Sequence, residues 1–132
     1  MENVTYMALD DTDEFDELMG FMEMKHNEAA KISVDSPADC VMIPENISSE
    51  CIGKEFYHKY MEGYHTRWNS EIKRQGKFSF VHQDGTVRGL VSELSRNSKF
   101  DVIEAVTPAP VGDVTIDDVN LLVDDNTIIW GG

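Results

Sequence analysis

Apolar residues recur at steps of three and four in two long stretches of the chain, a spacing that predicts amphipathic helices. The first stretch predicts a helix from Asp13 to about Val34, ended by Ser36-Pro37 because a residue before proline avoids helical geometry. The second predicts a helix over residues 55–75, with Gly76 as its stop. Its apolar positions are Phe56, Tyr60, Tyr64, Trp68 and Ile72.

Short apolar runs between turn-forming residues predict buried strands. Such runs lie at residues 40–43, 78–82, 101–106 and 127–130. Two more helices are predicted between them, from Thr86 to about Arg96 and from Ile116 to Leu122. This alternation of helix and strand predicts an α/β fold of parallel strands joined by crossover helices.

Two parallel architectures fit this order, an open doubly wound sheet and a closed barrel. No glycine-rich phosphate loop follows the first strand, which weakens the nucleotide-binding doubly wound alternative. A TIM barrel needs eight strands and about 250 residues, whereas this chain has 132 residues. We therefore expect residues 1–132 to form one partial domain, parallel (β/α) units amounting to roughly half a barrel.

Charge narrows the range of partners. The 25 acidic and 11 basic residues give a net charge of −14, which disfavours binding to nucleic acid or to a membrane surface. No apolar run approaches the ~20 residues of a membrane span, and the first residues lack the pattern of a secretory signal. With only two cysteines, in no metal-like pair, we expect a cytoplasmic protein.

A series of short segments, in a fixed order, resembles the uroporphyrinogen decarboxylase superfamily. The segments are Ser36-Pro37-Ala38-Asp39, Glu45-Asn46-Ile47-Ser48-Ser49-Glu50, His82-Gln83-Asp84-Gly85, Asp101-Val102-Ile103-Glu104-Ala105, Pro108-Ala109-Pro110-Val111-Gly112-Asp113 and Ile129-Trp130-Gly131-Gly132. The resemblance covers Ser36 to Gly132. It implies an eight-stranded barrel, of which this chain holds about the fourth to seventh strands.

The resemblance implies two alternative chemistries. The superfamily contains decarboxylases of tetrapyrrole (heme) biosynthesis, which need no cofactor, and methyltransferases that use zinc to pass a methyl group between a corrinoid and a thiol. The methyltransferases carry a His-x-Cys-Gly motif where this chain has His82-Gln83-Asp84-Gly85, so Asp84 stands in the place of the cysteine. The key residues of the decarboxylases fall mostly outside this chain.

His82 and Asp84 are the first candidate site residues. At positions i and i+2 of an extended chain they point the same way, and the carboxyl end of a barrel strand faces the active-site mouth. They are competent zinc ligands or a base with its orienting partner; the alternative is an Asp-Gly turn in which Asp84 binds its own backbone. Glu104 lies among apolar neighbours, so it either faces the mouth or is paired structurally.

Four further groups have weaker patterns. Glu45 and Asn46 follow the first strand and are expected to bind substrate or to cap the loop. Asp113 is expected to cap the short helix near Thr115 or to bind substrate. His58 and His65 are expected on the surface, since metal pairs on helices use a spacing of four rather than seven. Cys40 is expected to be an ordinary buried strand residue.

We predict a methyltransferase-type enzyme with His82, Asp84 and Glu104 as catalytic residues, and with zinc, if bound, on His82 and Asp84. A corrinoid would be the methyl donor or acceptor, and the substrate a small molecule or a corrinoid protein. A substrate with many carboxylates would want basic residues at the mouth, but the strand-end loops offer only Arg88. The alternatives are a decarboxylase-type carboxy-lyase and an inactive half-barrel that forms a homodimer through open sheet edges.

Overall fold

The structure, a computed structural model, describes residues 2–131, with side chains from residue 4 onward. The chain divides after Ser36 into two compact units. The first unit holds helix α1 (Glu2–Asp10) and helix α2 (Thr12–Asp35), which meet at Asp11. The predicted helix over 13–34 is confirmed by α2, whereas α1 was not predicted.

The second unit is built on a parallel sheet of β1 (Cys40–Ile43), β2 (Phe78–His82), β3 (Val102–Val106) and β4 (Ile128–Gly131). The strands lie in the order β1-β2-β3-β4, and each pairs in parallel with the next. The prediction of an α/β fold with parallel strands is therefore confirmed. The sheet is open, as expected for part of a TIM barrel.

The helices of this unit differ from expectation in two places. Two helices, α3 (Lys54–Tyr60) and α4 (Glu62–Arg74), replace the single predicted one, because the chain departs from helical geometry at Met61 with φ −118° and ψ −41°. The helix predicted from Thr86 is mostly a turn that leads into a π-helical segment, Glu93–Asn97. Helix α5 (Ile116–Leu122) has the predicted bounds.

The two faces of the sheet have different surroundings. Alternate residues such as Ile43, Val81 and Ile103 belong to the hydrophobic core, together with Leu90, Leu94 and Phe100 from the connections. The other alternate residues form what we call the open face, since many of them are exposed. In register order its members are Cys40, Met42, Phe78, Phe80, His82, Val102, Glu104, Ile128 and Trp130.

The open face corrects the expectation for Cys40. Its side chain is exposed and its thiol is free, because residue 40 has the parity of Met42 rather than that of the buried Val41 and Ile43. A four-residue apolar run does not reveal which of its alternate residues meets the helices.

None of the helices between residues 2 and 131 combines the length and the apolar character that a bilayer crossing requires.

Candidate active site at the carboxyl ends of the strands

The carboxyl ends of the strands lead into three connections that contact one another. The hydroxyl of Ser49 donates to the carbonyl of Thr86 at 2.8 Å, and the backbone N–H of Glu50 donates to the Thr86 hydroxyl at 3.0 Å. A Cβ atom on Gly112, in the loop after β3, would lie 3.1 Å from the carbonyl oxygen of Gly85, in the loop after β2. Backbone and hydroxyl contacts therefore hold the loops after β1, β2 and β3 together around this edge.

His82 and Glu104 form a pair at this edge, on the open face. They are register partners on β2 and β3, and Nδ1 of His82 lies 2.5 Å from Oε2 of Glu104. The two side chains are 31% and 26% exposed, so the pair is partly shielded but reachable from solvent. A carboxylate only accepts hydrogen bonds, so Nδ1 carries the proton and Nε2 of a neutral His82 is left with its lone pair.

The strand that carries Glu104 is irregular directly after it. The register of β3 against β4 shifts between Glu104 and Val106, and Ala105 has a φ of +65°. Such a bulge re-aims side chains and is common beside active sites. A left-handed conformation at alanine is costly, so the surrounding structure must hold Ala105 in place. The bulge ends the regular pairing at the residue that bonds His82.

Asp84, Asn46 and Asp113 do not join this pair. The Asp84 carboxylate is exposed and accepts the backbone N–H of Gly85 at 2.7 Å, the turn geometry that was the alternative for this residue. Asn46 is exposed in the loop after β1. Asp113 accepts the backbone N–H groups of Val87 at 2.7 Å and of Arg88 at 3.1 Å. The roles predicted for these three residues in binding stay predictions.

The expectation that Asp113 caps the short helix near Thr115 is wrong. Helix α5 begins with a capping box in which the Thr115 side chain and the Asp118 carboxylate each bind the other's backbone N–H. Asp113 instead caps the turn after β2. The guanidinium of Arg88 donates to the Asp113 carbonyl and, at 2.9 Å, to Asp118. The hydrogen bonds from Thr115, and then Arg88, lower the pKa of Asp118 below its ordinary value.

Glu45 takes part in a buried polar network on the helix side of the sheet. His65 is fully buried, and its Nε2 lies 3.2 Å from the Glu45 carboxylate. Nδ1 of His65 lies 3.1 Å from the Tyr57 hydroxyl, which in turn lies 2.6 Å from the hydroxyl of Ser98. Asn69 donates to the Ser98 carbonyl at 2.7 Å. Burial raises the pKa of Tyr57 above its ordinary range.

The surface position expected for His65 is therefore wrong, whereas His58 is exposed as expected. Because a carboxylate only accepts, Nε2 of His65 carries the proton, and Nδ1 accepts from Tyr57. Tyr57 can then accept from Ser98, so the side chains of His65 and Tyr57 are satisfied, whereas the buried Oδ1 of Asn69 has no hydrogen-bond partner among the described residues. The signal in the sequence was the spacing of His65 from Tyr57 and Trp68, which places the histidine on the apolar side of its helix.

Gln83 is a buried polar residue beside the pair that the sequence did not single out. It is fully buried, its Nε2 reaches only the Val87 carbonyl at 3.5 Å, and its Oε1 has no hydrogen-bond partner among the described residues. Its backbone N–H donates to the Glu104 carbonyl at 2.9 Å. Because successive residues of an extended chain point to opposite faces, the Gln83 side chain points away from His82. Gln83 is therefore a buried residue that packs beneath the end of β2 and is not a member of the His82–Glu104 pair.

The side chains of residues 4–131 include no group of three or more His, Cys, Asp and Glu residues placed to hold a metal ion. His82 has the orientation of a zinc ligand, since a carboxylate on Nδ1 is the usual partner of a histidine that binds metal through Nε2. Asp84 does not complete such a site, because its carboxylate is turned to the backbone of Gly85. The residues of this chain therefore do not by themselves fit a four-coordinate zinc.

Parallel strands joined by helical connections define an α/β fold that is consistent with part of a (β/α) barrel, here an open sheet of four strands with His82 and Glu104 paired at the carboxyl ends of β2 and β3. The model of the family described as Uroporphyrinogen decarboxylase (URO-D) matches residues 1–122 of the 132. The chain belongs to this family. No match is found among curated proteins or among solved structures.

The family match and the segment resemblance overlap from Ser36 to residue 122. The match also takes in the first unit, which precedes the residues that the resemblance covers. Both place the His82 segment and the Glu104 segment within the family's domain. The pair is therefore part of the family region of this chain rather than an appended loop.

Proposed function

We propose that this chain supplies a proton-transfer site to a methyltransferase-type member of the superfamily, which moves a methyl group between a corrinoid and a thiol. The observation that carries the proposal is the hydrogen bond between His82 and Glu104 at the carboxyl ends of β2 and β3. Active sites of (β/α) barrels lie at this end of the strands.

The pair has the arrangement of a general base and its orienting carboxylate. Nε2 of His82 accepts the proton of the substrate thiol, so the S–H bond breaks and a thiolate remains. Glu104 stabilises the imidazolium that forms. The thiolate then forms an S–C bond to the methyl group of the corrinoid substrate, and the Co–C bond breaks with its electron pair left on cobalt. The proton stays on His82 until it is lost to solvent.

The charges near the mouth favour a thiol over a tetrapyrrole with many carboxylates. Arg88 is the one basic residue in segments 44–53, 83–90 and 107–115. Its guanidinium is engaged by the Asp113 carbonyl and the Asp118 carboxylate. A polycarboxylate would therefore meet few available cations here and a chain of net charge −14.

Zinc enters the proposal only as an ion that His82 would help to hold, with Asp84 as the second candidate ligand and the remaining ligands from outside the described residues. When bound, zinc would favour the thiolate form of a coordinated thiol. Metal analysis of the wild type and of His82→Ala and Asp84→Ala decides this point. Equal zinc content in all three chains would remove the metal from the proposal.

The test is methyl transfer from methylcobalamin to 2-mercaptoethanol under anaerobic conditions, followed by the loss of the methylcobalamin spectrum and by mass spectrometry of the thioether. We expect His82→Gln to lower the rate by about 100-fold or more, as for loss of a general base, and Glu104→Gln to lower it less. His58→Gln is the matched control, because His58 is an exposed histidine paired with Glu62. An unchanged rate in His82→Gln contradicts the proposal.

Carboxy-lyase activity on a tetrapyrrole is the alternative, since His82 in its protonated form, held by Glu104, can donate the Nε2 proton to the side-chain carbon that has lost carbon dioxide. Release of carbon dioxide from uroporphyrinogen, with no methyl transfer, would favour this alternative. A cytoplasmic location is part of the proposal and is supported by the free thiols of Cys40 and Cys51.

A further inference from the structure

A cavity of about 240 Å³ lies at the amino ends of β3 and β4, the end of the sheet opposite to His82 and Glu104. Pockets for larger ligands usually measure about 300–1,000 Å³, so this cavity has room for a small ligand only. Its charged and amide side chains are those of Lys73, Arg96, Lys99, Asp101, Asp124 and Asn126.

The walls of this cavity come from connections that have described elements on both sides. Lys73 belongs to α4, which leads into β2. Residues 96–101 run from the π-helical segment into β3, and residues 124–127 run from α5 into β4. The cavity is therefore formed by one continuous stretch of the second unit and does not depend on any strand outside β1 or β4.

Two of the cations at the cavity have donors that the fold does not use. The Lys99 ammonium has no hydrogen-bond partner among residues 4–131. The Arg96 guanidinium reaches only the carbonyls of Leu121 at 3.4 Å and Val123 at 3.5 Å within the described chain, both long for hydrogen bonds. Since arginine carries five N–H donors, most of those of Arg96 are available. Both cations attract the carboxylate of Asp124 without donating a hydrogen bond to it.

The two carboxylates at the cavity are engaged within the fold. Oδ2 of Asp101 accepts the backbone N–H and the hydroxyl of Ser79 at 2.8 and 2.9 Å, and Oδ1 lies 3.1 Å from Nζ of Lys73. Oδ1 of Asp124 accepts the backbone N–H and the side-chain amide of Asn126, both at 3.0 Å. Three cations against two carboxylates leave one excess positive charge here, in a chain of net charge −14.

The backbone that carries Lys99 is held in place although its ammonium is free. Lys99 has a φ of +57°, a left-handed conformation that is uncommon and costly for a lysine. Nζ of Lys73 donates to the Lys99 carbonyl at 2.7 Å, and the next residue, Phe100, donates its backbone N–H to the Leu94 carbonyl at 3.2 Å. Residues in such conformations are concentrated at ligand clamps and other functional sites.

We propose that this cavity binds a phosphate group, either as the free ion or on a small ester, through Arg96 and Lys99. The planar guanidinium matches the spacing of phosphate oxygens, and the ammonium adds a second charge-assisted donor. Lys73 contributes positive charge from its contact with Asp101. The volume of the cavity excludes a large phosphate ester. This inference does not depend on the reaction at His82 and Glu104.

Isothermal titration calorimetry with inorganic phosphate, at neutral pH and low salt, tests the proposal. We expect one saturable site per chain, which added sodium chloride weakens because the cations are exposed. Lys99→Gln should lower the affinity by about tenfold, as for loss of a hydrogen bond to a charged group. Lys99→Arg keeps the charge and should bind as the wild type does. Lys25→Gln is the matched control, because Lys25 is an exposed cation paired with Glu28 on α2.

Two further measurements locate the ion and identify its source. In ¹H–¹⁵N spectra, phosphate should shift the backbone amides of Lys99 and Asn126 and leave that of His82 unchanged. Glycerol 3-phosphate should bind more tightly than inorganic phosphate if the site takes an ester, and less tightly if it takes the free ion. The proposal is overturned if binding does not saturate by about 10 mM phosphate, if Lys99→Gln and Lys25→Gln bind equally, or if the shifts are confined to the carboxyl ends of the strands.

Discussion

At the scale of single residues, two histidines differ in which ring nitrogen meets a carboxylate. His82 meets Glu104 through Nδ1, and His65 meets Glu45 through Nε2. The first arrangement leaves Nε2 available at the edge of the open face, whereas the second uses both nitrogens inside the core. The same two residue types therefore build a partly exposed pair in one place and a buried network in the other.

Removal of the Tyr57 hydroxyl tests that network. Tyr57→Phe leaves His65 and Ser98, which are 0% and 1% exposed, without their shared partner. We expect the free energy of unfolding to fall by about 1–3 kcal/mol, the cost of leaving buried polar groups unsatisfied. Urea unfolding at neutral pH measures the change. Tyr6→Phe is the control, since Tyr6 is 61% exposed, and a loss as small as that of Tyr6→Phe would contradict the account.

The pH dependence of Tyr57 follows from its raised pKa. Burial, the largest cause, raises the pKa in the folded chain above the ordinary 10.0. The folded state therefore binds the phenolic proton more tightly than the unfolded state, so the contribution to stability is complete below pH 10 and is lost as the pH rises above it. We expect the wild type to lose more stability than Tyr57→Phe between pH 9 and 11. If the wild type and Tyr57→Phe lost equal amounts of unfolding free energy between pH 9 and 11, the raised pKa of Tyr57 would not be the cause.

Gly112→Ala tests how tightly the loops at the carboxyl ends of the strands are packed. The added Cβ would lie 1.8 Å from the Thr107 carbonyl oxygen and 3.1 Å from that of Gly85. Both are backbone atoms, so the loops must move apart, and we expect a loss of about 1–3 kcal/mol in urea unfolding. Gly53→Ala is the matched control, because nothing lies within 4 Å of its Cβ position. Equal stabilities of the two variants would show that the loops yield freely.

At the scale of elements, short strands and a capped helix followed from local patterns, whereas longer helices were altered by tertiary contacts. The bounds predicted for β1, β2 and α5 match the structure because breakers or caps flank each of them. The helix predicted from Thr86 gave way to a turn, since the Asp113 carboxylate and Ser49 hold its first residues. Those contacts join residues far apart in the chain, so local periodicity does not contain them.

The capping box of α5 makes the stability of this element depend on pH. Hydrogen bonds from Thr115 lower the pKa of Asp118 below its ordinary 3.8. The ionised form is favoured in the folded chain, so its contribution is present above pH 3.8 and is lost as the pH falls through the lowered value. We expect Asp118→Asn to lower the thermal midpoint at pH 7, and the difference from the wild type to shrink as the pH falls below 3.8.

Asp117→Asn is the control for this prediction, because Asp117 precedes Asp118 in the same first turn but is not part of the capping box. It keeps the charge change and the position near the helix N-terminus. An equal effect of the two substitutions at pH 7 would mean that the helix dipole, rather than the cap, accounts for the loss.

At the scale of the whole molecule, the order of helices and strands predicted the parallel sheet and the edge at which polar residues meet. It brought His82 and Glu104 to adjacent strand ends, and the structure pairs them. The companion expected for His82 was Asp84, but the Asp-Gly turn occupies that carboxylate. Sequence spacing fixes the edge at which a side chain emerges, whereas the contact between two strands depends on register, which a single strand does not specify.

An open sheet of four strands can keep the geometry of the His82–Glu104 pair, because its core lies on one face only. The core lies between the sheet and its connections, on the face opposite to the open face. The His82–Glu104 pair at the edge therefore depends on β2 and β3 alone.

The most direct test of the central claim is the protonation pattern of the His82 ring, measured by two-dimensional ¹H–¹⁵N NMR in the neutral form of the imidazole. The hydrogen bond to Glu104 predicts that Nδ1 carries the proton and that Nε2 is bare. In Glu104→Gln the preference for this tautomer should weaken, whereas the exposed His58 should keep its spectrum in both chains. A proton on Nε2 of His82 in the wild type, unchanged by Glu104→Gln, would contradict the pairing on which the proposed chemistry depends.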